Sequence, residues 1–406
     1  MTKTKSVVRE PVKKNENDVT HVPFEKYLGY DIKILRIAGL YSINSIFTDK
    51  AKKRTNLEAV AFGVGIMHIF FVASCEFRTI MKVWRDDPNY AIGVFTAMFS
   101  GLLCAVKGLR LWFWRHEFYI LLRRFAVMWN NADIRIEIRN ENLKSAEGTR
   151  FMAKCYVTMV ITLVTSYAVR PYMYGGKTIH FFNLIKLTNV SYDFTETVYP
   201  TSYPFSTETM CAYIMCITWE QFVIVIVALY WMSSDTLFAQ LTTHTAIQFR
   251  VLRHDLEYIA TVDDDNELTN EKKMRIYNPI IFLTMLLTGV NMCFCVFRFE
   301  KELSAGNWDE VIKYLFHAVT LLVQAVIYCG YADKLTQQSS LMSGAAYDCQ
   351  WIERSKEFKI LLQIIMLRSQ KPFKCTAYGF FSVNLNQITA VANTAASYFA
   401  LLKTMT

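Results

Sequence analysis

The chain has 406 residues, of which 53% are hydrophobic, 15% aromatic and only 19% charged. Soluble domains rarely combine such values, which excludes a string of soluble domains and points to one polytopic membrane domain with cytoplasmic extensions. The formal charge of +9 gathers in the N-terminal tail and beside apolar segments, as expected of cytoplasmic membrane flanks, and is not a nucleic-acid signal.

Residues 1–20 are Lys-rich with little apolar content and read as disordered. With more than fifty polar N-terminal residues, no cleavable signal peptide is expected. From Phe24 to Phe47 apolar residues return, in a stretch too short and too charged to span. An interfacial or re-entrant amphipathic helix is expected there. Seven spans follow, near 57–80, 90–112, 151–174, 209–232, 277–297, 311–332 and 380–405. The segment from Ser234 to Tyr258 is amphipathic and continues the fourth span into the cytoplasm. The 263–266 run, DDDN, reads as a solvated turn rather than a calcium loop. Gln337 to Trp351 and Ser355 to Gln370 are expected to form intracellular helices, separated from the last span by Pro372.

The fold class is therefore an all-α polytopic membrane protein with seven transmembrane helices and a cytoplasmic helical anchor. Its divisions are a cytoplasmic tail with the short helix (1–56), six spans (57–332, with a cytoplasmic extension about 234–276), anchor helices (333–379) and the last helix (380–406). Lys and Arg number about twelve, seven, five and four in alternate connecting segments, and about two, three and two in the others. The N-terminus is thus placed in the cytoplasm and the C-terminus outside. The 175–207 loop is then extracellular; it carries the glycosylation sequon at Asn189 and aromatic residues suited to a lid.

The last span is uncharged from Phe380 to Leu402, yet Asn386, Asn393, Ser397 and Thr404 recur on one helical face. Ile388, Val391, Ala395, Phe399 and Leu402 lie on another. A polar stripe must face protein or water, so this helix packs in a bundle or lines a pore. Glu220 sits mid-span, where a carboxylate is costly; it makes a polar contact in a cavity or at a subunit interface, or is neutralised by a proton or by Gln221. Lys107 and Arg110 end the second span and are expected to snorkel. The outer halves of four spans offer Tyr90 and Phe95; Thr162, Thr165 and Ser166; Met210, Tyr213 and Ile217; and Tyr314, Phe316, His317 and Thr320. An apolar cavity with a few hydroxyls suits a small organic ligand, although ordinary bundle packing uses the same residues. No Walker loop, GxSxG or HExxH occurs, and the ten cysteines include no CxxC pair, so no enzyme activity, cofactor or metal is expected.

The chain resembles the insect odorant receptor family over nearly its whole length. The resemblance is carried by Asp235-x-Leu237-Phe238-x-x-Leu241-x-x-His244-x-x-x-Gln248, by YCGYADKL from Tyr328, by Ala346-Tyr347-x-x-x-Trp351, and by SVNLNQITAVANTAASYFALLK from Ser382. Related gustatory receptors end in Thr-Tyr, five residues, then Gln-Phe; here Ser397-Tyr398 is followed by Thr404-Met405. The loop after the fourth span is shorter than the family co-receptor's, which fits an odor-tuned subunit. The resemblance implies a heterotetrameric, ligand-gated, non-selective cation channel formed with the co-receptor. Volatile odorant would bind among spans two to six, and Na⁺, K⁺ and Ca²⁺ would pass a pore donated by the last helices. Its gate would fall at Leu401 and Met405. A gustatory-type homotetramer is the alternative; a secondary transporter lacks its inverted repeat, and a G-protein-coupled receptor is opposed by the charge bias.

Overall fold

A computed structural model describes residues 24–39, 56–131, 136–174, 197–207, 209–257, 270–349, 351–352, 354–377 and 380–405. The Asn189 sequon and the 263–266 run lie outside the described residues, as do the side chains of Leu401, Thr404 and Met405.

Helices α1 (Glu25–Ile37), α2 (Asn56–Val83), α3 (Pro88–Phe113), α4 (Arg115–Asn131) and α5 (Ile136–Tyr174) form the first half. Then follow α6 (Met210–Glu257), α7 (Asn270–Ala305), α8 (Trp308–Ser340), α9 (Met342–Asp348) and α10 (Lys356–Ser369). A short hairpin of β1 (Thr376–Ala377) and β2 (Phe381–Ser382) leads into α11 (Asn386–Met405). Among the described residues, five helical stretches are long and apolar enough to cross a membrane: Ala59–Val83, Tyr90–Phe113, Ile138–Val169, Met210–Leu256 and Glu310–Asp348. At 1.5 Å per residue, about 20 residues cross the hydrocarbon core. The 48 residues of α6 and the 39 of α5 therefore project well beyond it.

Local chemistry sets the boundaries. Asp87 caps α3 by accepting from the Tyr90 N–H at 3.0 Å, with Pro88 as the first helical residue. Gly306 turns the chain between α7 and α8 at φ 75°, a conformation open to glycine. Ser355 caps α10 through the Phe358 N–H.

Helix α6 is the axis of the molecule. Every residue from Trp231 to Ile247 is buried, because α1, α3, α5, α8 and α9 all pack on this helix. The apolar face of α1, with Tyr27, Leu28, Ile32 and Leu35, meets α6 and α5. Helix α7 packs on α8, α3 and α11.

Two readings of the sequence are corrected. The last helix begins at Asn386 rather than Phe380, because Phe381 pairs with Ala377 in the hairpin and the Asn384 carboxamide accepts from the Gln387 N–H at 3.2 Å. The basic stretch after the second span, for which the sequence set no expectation of structure, holds α4, whose Phe118, Leu121, Leu122 and Phe125 join the core. Lys107 does not snorkel; it is wholly buried.

Candidate functional site

A cavity of about 320 Å³ opens where the first turns of α3 and α8 meet the ends of α5 and α7 and the segment after residue 197. Tyr90, Gly93, Val94 and Ala97 come from α3, Tyr167 from α5, and Val198 and Pro200 from the connecting segment. Arg298 and Glu302 come from α7, and Glu310, Lys313 and Tyr314 from α8. The charges are paired within each helix, Arg298 with Glu302 and Lys313 with Glu310. Asn307 donates to Glu302 at 2.8 Å. The Lys313 ammonium lies 4.9 Å from the Tyr314 ring centre and 5.4 Å from that of Tyr167. The cavity therefore presents aromatic faces beside balanced charge. This arrangement suits a small molecule with an apolar body and a hydrogen-bonding head.

Beside the cavity, Glu220 is wholly buried and fully engaged. It accepts from the Val198 N–H at 2.7 Å, from the Thr201 hydroxyl at 3.3 Å and from the Tyr203 hydroxyl. Burial, then the Glu220 carboxyl, pushes the Tyr203 hydroxyl far up, so this phenol remains a donor. Gln221 does not serve Glu220; it donates to the Ala168 carbonyl at 2.7 Å. Glu76, on α2, is buried and interacts electrostatically with Glu220.

Deeper in the bundle, Asp235 is the centre of a second polar knot. Lys107 on α3 donates to it at 2.6 Å, as does Tyr156 on α5. Gln324 and Tyr328, one turn apart on α8, each donate at 2.7 Å. Four donors on three helices thus converge on one carboxylate of α6, and Lys107 and Asp235 are both 0% exposed. One signal of this knot was present beforehand: a lysine inside the apolar second span and an aspartate just beyond the end of the fourth.

The other residues singled out from the sequence are dispersed. Tyr90 lines the cavity. Phe95 belongs to an aromatic cluster with Trp84, Phe99 and Phe294. Thr162, Thr165 and Ser166 are exposed, and each bonds to a carbonyl of its own helix. Tyr213 and Ile217 are buried, Met210 is half-buried, Phe316 packs against the core, and Thr320 is buried and donates to the Phe316 carbonyl. His317 contacts the Tyr167 hydroxyl at 2.9 Å. On α11, Val391 and Ala395 are buried and Ile388 packs on the core, whereas Asn386, Asn393 and Ser397 are exposed. Arg298, Glu302, Glu310 and Lys313 were missed, because each resembles a helix-end charge until the fold gathers them.

Helices this long and apolar, packed around a ligand-sized cavity, define a multi-pass membrane protein. Comparison with known proteins gives the family. The 7tm odorant receptor profile matches residues 87–276 and 271–396. Odorant receptor 45a of Drosophila melanogaster is 29% identical over 187 residues, 42% of this chain and 48% of that protein. The odorant receptor coreceptor of Anopheles gambiae is 26% identical over 166 residues, 40% of this chain and 32% of that protein. The matches thus span about half or less of these relatives. The insect olfactory receptor OR5 from Machilis hrabei overlays with a TM-score of 0.72 at 18% identity, covering 93% of this chain and 97% of that one. Its complex with eugenol overlays with a TM-score of 0.69, covering 94% and 98%. The fold is accordingly the all-α seven-helix membrane fold of those receptors. The chain belongs to the insect odorant receptor family.

Proposed function

We propose that this chain is the odorant-sensing subunit of a ligand-gated, non-selective cation channel. It assembles as a heterotetramer with the insect odorant receptor co-receptor in the plasma membrane of a sensory dendrite. Its N-terminus is cytoplasmic and its C-terminus extracellular, as the basic flanks require. The observation that carries the reading is the face of α11. Its apolar side is packed on the bundle, while Asn386, Asn393 and Ser397 are left uncovered. Ser397 donates to the Asn393 carbonyl at 2.9 Å, but lipid offers the two carboxamides no partners, so other subunits or water must cover this face. A pore ringed by four such helices provides both. Leu401 and Met405 then form the hydrophobic constriction, with Thr404 beside them.

Helix α7 links cavity to pore. Arg298 and Glu302 near one end line the cavity, while further along the helix Gly289 lies against Val391 of α11, which is 3.9 Å from where its Cβ would be. A ligand that fits the cavity better in the open state shifts α7, and with it α11, by differential affinity. The constriction then wets and Na⁺, K⁺ and Ca²⁺ pass. The paired charges and tyrosines favour a volatile with a polar head, such as an alcohol, phenol or ester, over a hydrocarbon. Whole-cell current under such a panel, for the chain alone and with an insect co-receptor, tests the reading. Odor-evoked cation current in the pair and not in the chain alone is expected. Current from the chain alone would favour a gustatory-type homotetramer, and silence in both despite surface expression would contradict the channel reading.

A further inference from the structure

The segment from Thr197 to Tyr203 is a strap with two faces. Val198 and Pro200 form part of the cavity wall. On the other side the strap is tied to Glu220 at three points: the Val198 N–H, the Thr201 hydroxyl and the Tyr203 hydroxyl. Among the described residues, its other polar tie to a helix is Lys82 to Ser202 at 2.7 Å. The Thr197 hydroxyl and the Thr201 N–H bond within the strap, to the Tyr199 carbonyl. Val198 and Tyr199 are nonetheless buried, so the strap is drawn into the bundle, and Glu220 does the drawing. A mid-span carboxylate is costly without partners, and these three donors stabilise it. Glu76 on the facing helix is also buried, with Oε1 lacking a hydrogen-bond partner, and the buried Tyr199 hydroxyl lacks one too. Two facing carboxyls and an unbonded phenol weaken the arrangement under the strap. The tie is therefore opposed by its surroundings, as a releasable contact requires.

We infer that Glu220 is a positioning residue for ligand recognition, acting as the latch that holds the Val198–Pro200 strap as a movable wall of the cavity. This inference rests on the cavity being the ligand site, but its test needs neither ligand nor current. A cysteine at Ala97, a half-buried position of the cavity lining, is labelled with a membrane-impermeant maleimide on intact cells expressing the full chain with its co-receptor. The native Cys211, exposed at the start of α6, is the internal control. Losing a charge-assisted hydrogen bond shifts an equilibrium about tenfold or more. Glu220→Gln is therefore expected to speed labelling at position 97 about tenfold, Tyr203→Phe by a smaller factor, and neither at Cys211. Tyr203→Phe removes only a hydroxyl, so it decides the matter if Glu220→Gln fails to reach the surface. Unchanged labelling at position 97, or equal acceleration at both thiols, would overturn the latch. Unchanged labelling leaves the channel reading untouched, whereas a working latch on a silent chain would refute the channel alone.

Discussion

Asp235 and Lys107 share a site that excludes water entirely, so their pairing is open to a double-mutant cycle. Lys107→Met leaves a carboxylate held by Tyr156, Gln324 and Tyr328 but without its counter-charge. Asp235→Asn leaves an ammonium facing an amide. Removing one partner of a buried pair destabilises by about 3–5 kcal/mol, since the remaining charge stays desolvated. In the double variant neither charge remains, and its effect should be smaller than the sum of the singles by about 2 kcal/mol or more. The assay is the thermal midpoint of detergent-solubilised receptor, read by fluorescence-detected size exclusion, for the parent, both singles and the double. Additive midpoints, with the double as damaged as the sum, would refute the claim that these charges stabilise each other across α3 and α6.

Other outcomes follow from single sites. A Cβ at Gly108 would lie 2.8 Å from Cδ2 of the buried Tyr230 ring, so Gly108→Ala should destabilise by about 1–3 kcal/mol; Gly63→Ala, with nothing within 4 Å, should leave the midpoint unlowered. Burial pushes the Asp31 carboxyl from its ordinary 3.8 up to about 6, against the opposing pull of Thr236, Gln240 and Arg150. The folded state then holds a proton that the unfolded state has lost, so this contribution is full below about pH 4 and is lost as pH rises through 6, by about 3 kcal/mol. Asp31→Asn should accordingly raise the midpoint at pH 7.5 and flatten its fall between about pH 4 and 6; an unchanged slope would remove Asp31 from the account. Leu401→Ala should raise basal current or alter ion selectivity in the complex, and unchanged values of both would remove Leu401 from the gate.

The elements built on long periodic runs were legible in the sequence. Helix α6 beyond the fourth span was foreseen because Leu237, Leu241, Ile247, Leu252 and Leu256 keep helical spacing; all but Leu252 are buried, but so are polar residues such as Asp235, Gln240 and His244, so the stretch is enclosed rather than amphipathic. The division of α11 into two faces was legible for the same reason, since Val391 and Ala395 are buried and Asn393 and Ser397 exposed. The hairpin before it was not, because two-residue strands have no period to read. Nor was the fate of Lys107 legible, because a basic residue near a span end reads as a snorkelling charge until a partner appears 128 positions later. The cavity was least legible. Its walls come from α3, α5, α7, α8 and the strap, and its ion pairs are ordinary helix-surface pairs taken one helix at a time.

The central claim is that this chain's own last helix lines the conduction path. Cysteines introduced at Asn386, Asn393 and Ser397, and separately at Ile388, Val391 and Ala395, would be exposed to a cationic, water-soluble methanethiosulfonate during odor-evoked current in cells that also express the co-receptor. The account predicts rapid, odor-dependent loss of current at the polar-face positions and none at the packed ones, with the unsubstituted chain unaffected. Equal insensitivity of all six positions would contradict it, and would leave the pore to the partner subunits.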